Sequence, residues 1–390
     1  MAAGPGPIST TFVDESKTHH VFLIPGLFGF ATLAGYDYFG HLERGISERF
    51  AAAGVPVRIE RVPSLPTSSI RARAVMVART VARGAEGSGP IHLVGHSSGG
   101  LDARLVLSPG TRLQVEKDAL DWTSRARTVI GMNAPHYGTP LAAYFATVSG
   151  TRFLYAVSLL TVTSLSLGKL PLTGLAGLVS VAKAVDDSLG LDIRLVDDVL
   201  EQVSRFVGER GRREIHDFLQ HIRDDQSGIV QLMPEVADLF NASVADRAGV
   251  RYGCVVTSAP PPTPGRVLEA ALSPAGALGL AVYTTLYGVA SRASRRYGYA
   301  VPTPEQARAL SAGLRRKVGP ENVDGVVPTL SMLWGDVVWC GAADHLDVVG
   351  HFEDGGRDVH VDWLRSGAHF KRSDFAAMVD SMCRFMLRTP

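Results

Sequence analysis

Between residues 19 and 132, short apolar runs alternate with amphipathic stretches, and that alternation leaves few folds open. His19–Ile24 (HHVFLI) reads as a buried strand, and Tyr36–Ala53 as a helix ending at Gly54. Val55–Glu60 reads as a second strand. In Ser68–Arg83 the apolar residues Ile70, Ala74, Val77 and Val81 fall near helical spacing, and the pattern stops at Gly84. Ile91–Val94 is a third strand, short and apolar apart from His92. Ser98–Leu107 reads as helix, and Val129–Met132 belongs to a fourth strand. A βαβα rhythm of this kind predicts an α/β fold, a mostly parallel, doubly wound sheet with helices on both faces.

The rhythm breaks after Pro140. Residues 141–245 read as almost wholly helical, with one apolar stripe at Ile193, Val196, Leu200, Val203 and Val207 and another at Ile215, Phe218, Leu219 and Ile222. Strand character returns at Val250–Thr257. A proline-rich hinge, Ala259–Pro264, opens a second helical insertion. The last strand lies near Asp336–Cys340, and Asp374–Arg388 closes the chain as a helix. The predicted organisation is therefore a flexible tail (1–18), a first core segment (19–140), a helical lid or cap (141–245), a core strand (246–258), a hinge with a second insertion (259–318) and a last core segment (319–390).

A net charge of +1 argues against a dedicated nucleic-acid binder, which needs a basic surplus to neutralise phosphates. Three cysteines, at 254, 340 and 383, imply no disulfide framework and match no zinc spacing. Residues 1–18 have no basic start followed by an apolar run, so the expected location is cytoplasmic. Phe153–Ala182 carries one charge, Lys169, and Ala270–Ser291 carries none. Gly168, Pro171 and Gly174 interrupt the first run, and Pro274, Gly276 and Gly279 the second. Packed or lid helices are expected from them rather than a membrane span.

The chemistry sits in Ile91–Gly100 (IHLVGHSSGG), where Gly95-His96-Ser97-Ser98-Gly99 has the form G-x-S-x-G at a strand-to-helix junction. A serine on that turn is held in a strained backbone with its hydroxyl above the sheet edge, and the flanking glycines allow strand and helix to approach closely. This context, more than the five letters, marks Ser97 as a nucleophile. The oxyanion would need two N–H donors: Ser98, just after the nucleophile, and Leu27, in the Gly-rich turn Ile24–Phe30 that follows the first strand. The acid and the base should come later in the chain. Asp324, Asp336 and Asp344 are candidate acids. His345, His351, His360 and His369 are candidate bases, and order alone does not separate them.

Several segments together resemble the α/β-hydrolase lipases, in particular the bacterial true lipases and related triacylglycerol lipases. PGLFG at 25–29 resembles their oxyanion loop, with Pro25 where the family usually has His. LVGHSSGGLDAR at 93–104 resembles the nucleophile elbow, and NAPHYGTPLA at 133–142 the turn after the next strand. LMPEVADLFN at 232–241 and GVRY at 249–252 resemble the stretch leading out of the lid. VDGVVP at 323–328 is similar to the loop bearing the catalytic Asp, and DHLDVVG at 344–350 to the loop bearing the catalytic His. The resemblance implies an α/β-hydrolase fold with large helical lid insertions, and it selects Asp324 and His345 to serve Ser97. It also implies a structural calcium held in part by Asp347. The second aspartate of that site has no match in 300–318, where Glu305 is the only carboxylate, and Leu330 stands where the family's disulfide would place a cysteine.

The implied activity is hydrolysis of carboxylic esters of acyl chains, with no organic cofactor. The apolar insertions would line an acyl pocket or meet a lipid surface. An acyltransferase or thioesterase would use the same three residues, and a lipid-binding protein without catalysis would use none of them. His136 reads as a structural residue of its turn.

Overall fold

A computed structural model describes residues 18–263, apart from 30–31, 34–35, 64, 148–149, 151–153, 155–156, 159–208 and 212, and residues 265, 274–352, 362 and 364–388. The expected stripe over 191–208, most of the apolar run 153–182, His360 and nearly all of the 1–18 tail lie outside the described residues.

Six strands form one sheet: β1 (His19–Ile24), β2 (Val57–Arg61), β3 (Ile91–His96), β4 (Ala126–Met132), β5 (Arg251–Thr257) and β6 (Asp336–Gly341). Their order is β2-β1-β3-β4-β5-β6, and every pair is parallel. The sheet winds outward in both directions from β1 and β3. Loops at the carboxyl ends of β1, β3, β4, β5 and β6 therefore meet along one edge, where open α/β sheets build their sites.

Strand composition follows from burial on both faces. On β1, Val21 and Leu23 join one core while Phe22 and Ile24 join the other; on β3, Val94 and Leu93 divide in the same way. No polar face is left, so these strands read as continuous apolar runs rather than alternating ones. Helix α1 (Gly40–Ala52) covers the first face through Leu42, Ile46 and Phe50, together with the C-terminal helix. Helices α2 (Ile70–Gly84) and α3 (Gly99–Leu107) cover the second through Ala74, Val77, Val81 and Leu107. Strand boundaries agree with the sequence reading to within a few residues.

Tyr36–Ala53 is not one helix. Tyr36–Asp37 pairs antiparallel with Thr32–Leu33, and α1 begins only at Gly40. Asp37 is drawn out of the helix by Arg61, whose guanidinium lies 2.7 Å from its carboxylate.

Beyond β4, α4 (Pro140–Phe145), α5 (Ser227–Gln231) and α6 (Pro234–Ser243) stand over the carboxyl edge, preceded by helical residues 213–224. Ile215, Phe218, Leu219 and Ile222, predicted as an apolar stripe, are all buried. Helix α7 (Pro274–Ser294) packs on α4, and Tyr283 on it donates to the Pro260 carbonyl at 2.6 Å. Helix α8 (Pro304–Leu314) opens with a reciprocal Thr303–Gln306 cap and packs on β6. Helix α9 (Arg372–Leu387) lies against α1 and closes the first core with Met378, Val379 and Met382. Among the described residues, no helix is long and apolar enough to cross a membrane.

The junction of β1, β3 and α3 leaves no room for a side chain at Gly99. A Cβ there would sit 2.3 Å from the Ile24 carbonyl oxygen, which is backbone and cannot swing away. Gly99→Ala is expected to cost about 1–3 kcal/mol of stability, read by urea unfolding; an unchanged midpoint would show that the junction yields.

Candidate active site

Ser97 follows β3 directly and has φ +54°, a left-handed conformation that a non-glycine residue adopts at a cost of about 1–3 kcal/mol. Its neighbours hold it there. The Ser97 N–H donates to Met132 O at 2.8 Å, and its own carbonyl accepts from Gly100 N at 3.1 Å. A Cβ on Gly95 would meet the Gly99 backbone at 2.3 Å, and one on Gly26 would meet Ser97 Cβ at 2.5 Å. Glycines on three sides thus let β1, the elbow and α3 close up, and the hydroxyl is left at the sheet edge.

Asp324 is fully buried on the loop after α8, pinned by a bridge between Val323 and Pro328. Its Oδ1 accepts from the backbone N–H groups of Val326 (2.8 Å) and Val327 (2.7 Å), and its Oδ2 from Asn133 Nδ2 at 3.0 Å. The remaining contact is His345 Nδ1, 2.6 Å from Oδ2. A carboxylate facing Nδ1 holds the proton on that nitrogen and leaves Nε2 with its lone pair free to act as a base. The His345 N–H also donates to the Asp324 carbonyl at 3.1 Å, so main chain and side chains register the two loops together. Ser97 and His345 line one cavity.

The rival residues are placed elsewhere. Asp336 sits exposed at the start of β6, far along the strand from its carboxyl end. Asp344 caps its own turn, Oδ1 accepting from Leu346 N and Asp347 N. His351 is buried beside Tyr38, and His369 precedes α9.

Sequence reasoning passed over His96, inside the elbow motif. Its Nε2–H donates to the His345 carbonyl and its Nδ1 accepts from Tyr38 OH, both at 2.8 Å. Burial, and then the neighbouring His345, hold its pKa well below the ordinary imidazole range, so it is neutral and ties the base loop to the nucleophile strand. His136 is likewise buried and neutral. It lies against Trp334 and beside Arg104, which is itself buried and stacked 3.3 Å from the centre of the Trp334 ring.

The turn bearing Leu27 is clasped by a residue the sequence reading also missed. Arg73 of α2 is buried and donates to the carbonyls of Pro25 and Gly26 while its Nε reaches Asp102 Oδ2 of α3 at 2.9 Å. Phe28 N and Gly29 N are spent on Pro66 O (2.8 Å) and Gly26 O (3.1 Å). Among the described residues, the N–H groups of Leu27 and Ser98 donate to no backbone carbonyl. Burial pushes the Asp102 carboxyl up to about 6 against the opposing pull of Arg73. The signal for Arg73 was present: a cation on the same helical stripe as Ile70, Ala74 and Val77.

Asp347, expected to hold calcium, is buried, and its Oδ2 accepts the Asp344 N–H at 2.7 Å. Asp344 and Asp347 are buried and both feel the charge of Asp362, but among the described residues no three His, Cys, Asp or Glu side chains are placed to hold a metal ion. No step is routed through a metal ion.

Strand order, a serine elbow after the third strand, and an acid and a histidine on the loops beside the last two strands define the architecture. The chain has an α/β-hydrolase fold. No family model matches it. A triacylglycerol lipase of Vibrio cholerae is 34% identical over 88 residues, 23% of this chain and 27% of that protein, so the match spans about a quarter of the curated relative. Solved structures similar to this hydrolase-fold chain include a metagenomic carboxyl esterase (16% identity, 99% of this chain and 81% of that one, TM-score 0.48). EstA from Clostridium botulinum (18%, 92% and 87%, TM-score 0.46) and a lipase from Staphylococcus hyicus (16%, 95% and 96%, TM-score 0.45) are others.

Two outcomes test this geometry. Arg73→Leu leaves Asp102 buried and unpaired and should cost about 3–5 kcal/mol, measured by denaturant unfolding; a loss under about 1 kcal/mol would mean the clasp is slack. The melting temperature should be the same in chelator and in excess calcium. A rise with calcium would show that further ligands complete a site at Asp347.

Proposed function

We propose that this protein is a serine hydrolase of carboxylic esters with apolar acyl chains. The observation that carries the reading is the strained Ser97 elbow sharing a cavity with a histidine whose Nδ1 is held 2.6 Å from a buried aspartate. Ser97 Oγ attacks the ester carbonyl while His345 Nε2 takes its proton. Asp324 fixes the imidazole tautomer and stabilises the imidazolium. The N–H groups of Leu27 and Ser98 receive the oxyanion, each worth about 3–4 kcal/mol of barrier. His345 then protonates the departing alcohol, and a water activated by the same nitrogen releases the acid.

The cavity supports the acyl assignment. Its volume is about 120 Å³, and its walls include Leu141, Phe145, Ile229, Leu232, Leu286 and Leu364. The hydroxyls of Tyr38, Thr139 and Ser158 that line it already donate, to His96, Val326 O and Leu154 O. A hydrocarbon chain loses nothing against such walls, whereas a polar acyl group would forfeit its hydration. The alcohol side has no comparable definition, so water and another acceptor are distinguished by product rather than by pocket.

Turnover of p-nitrophenyl esters from acetate to palmitate, wild type beside Ser97→Ala, tests the proposal. The wild type is expected to cleave them and the folded variant to lose about 10⁴-fold or more. Retained activity would sink the nucleophile assignment. Acyl transfer to an added alcohol or thiol in preference to water would make the protein a transferase.

A further inference from the structure

Residues 292–317 hold seven cations (Arg292, Arg295, Arg296, Arg308, Arg315, Arg316 and Lys317) against one acid, Glu305. This stretch is net +6 in a chain whose total is +1, so the remainder is net negative. All seven are exposed. Among the described residues only Arg308 is ion-paired, with Glu305 at 2.8 Å, and Arg316 donates to Ser258.

The fold brings the two ends of this stretch together. Tyr283 of α7 donates to the Pro260 carbonyl, and Arg316, just past the end of α8, donates to Ser258 two residues earlier. Arg295, just past the end of α7, and Arg316 both act electrostatically on the Tyr287 phenol, as does Glu321. The preceding residue on α7, Leu286, lines the cavity that holds Ser97. Within the same stretch lies Val301, 90% exposed and the most exposed large hydrophobic side chain among the described residues. Lone exposed apolar residues are ordinary, but one in a stretch whose cations are mostly free of acidic partners matches the chemistry of a headgroup region, where anions meet hydrocarbon. The bordering acids are Glu305, Glu321 and Glu235, the last held by Tyr297.

We propose that the 292–317 surface docks this protein on an anionic lipid surface. The cations engage phosphate headgroups, Val301 enters beneath them, and α7, which gives Leu286 to the cavity wall, is brought toward the membrane. The charge excess also fits nucleic acid in principle, but a sugar-phosphate backbone has no hydrocarbon layer for Val301 to enter.

Binding tests this without turnover, so it stands or falls separately from the catalytic reading. Sedimentation would compare phosphatidylcholine vesicles with vesicles containing phosphatidylglycerol, using the whole chain, the fourfold variant R295Q/R296Q/R315Q/K317Q, and Val301→Ser. Wild type should bind the anionic vesicles at least about tenfold more tightly, with binding weakening as salt rises. The fourfold variant should lose that preference, and V301S should bind more weakly at unchanged salt dependence. Both variants should cleave a soluble short-chain ester as the wild type does. Equal binding to the two vesicle types, or unchanged binding by the fourfold variant, would overturn the proposal. So would tight binding to duplex DNA without vesicle binding.

Discussion

The site depends on a backbone held where a serine would not rest by itself. Ser97 at φ +54° is kept there because β1, β3 and α3 approach more closely than any Cβ would allow at Gly26, Gly95 or Gly99. The parallel sheet supplies the clamp. The Ser97 N–H is bonded to the end of β4, and the helix that follows starts at once, so the strain is offset by the packing of two cores on either side. Everything else in the site is arranged around that fixed point.

Two buried polar networks do the arranging, one on each side. On one, Asp324 accepts four hydrogen bonds and orients His345, while neutral His96 and Tyr38 bind the histidine loop back to β3. On the other, Arg73 and Asp102 clasp the carbonyls of the Leu27 turn. With those two carbonyls held by Arg73, the path of the Leu27 turn is fixed. A buried ion pair is weak evidence for stability, but here it also fixes a loop that packs directly against Ser97.

Much of this was legible in the sequence, because the legible parts are local. The apolar strands and the elbow are written in consecutive residues, and β1, β3, β4 and α2 fall close to where their patterns put them. Tyr36–Ala53 misled because its register is apolar enough for helix, while Asp37 is claimed by Arg61, a partner distant in the chain. His96, Asn133 and Asp102 were missed for the same reason: each acts through a contact with a residue far away in the chain, formed only when separate elements meet. Asp324 and His345 could be chosen among rivals only by resemblance, since nothing in their own neighbourhoods tells Asp324 from Asp336. Arg73 is the instructive case, a cation on an apolar stripe whose meaning depended on what lay opposite.

The central claim is that Ser97 is activated by the His345–Asp324 pair. The most direct measurement is labelling by a serine-reactive alkyl phosphonate, with the modified residue located by mass spectrometry, in wild type and His345→Ala. The account predicts a single adduct on Ser97, formed rapidly in the wild type and lost or greatly slowed in the folded variant. An adduct on another residue, or equal labelling without His345, would contradict it.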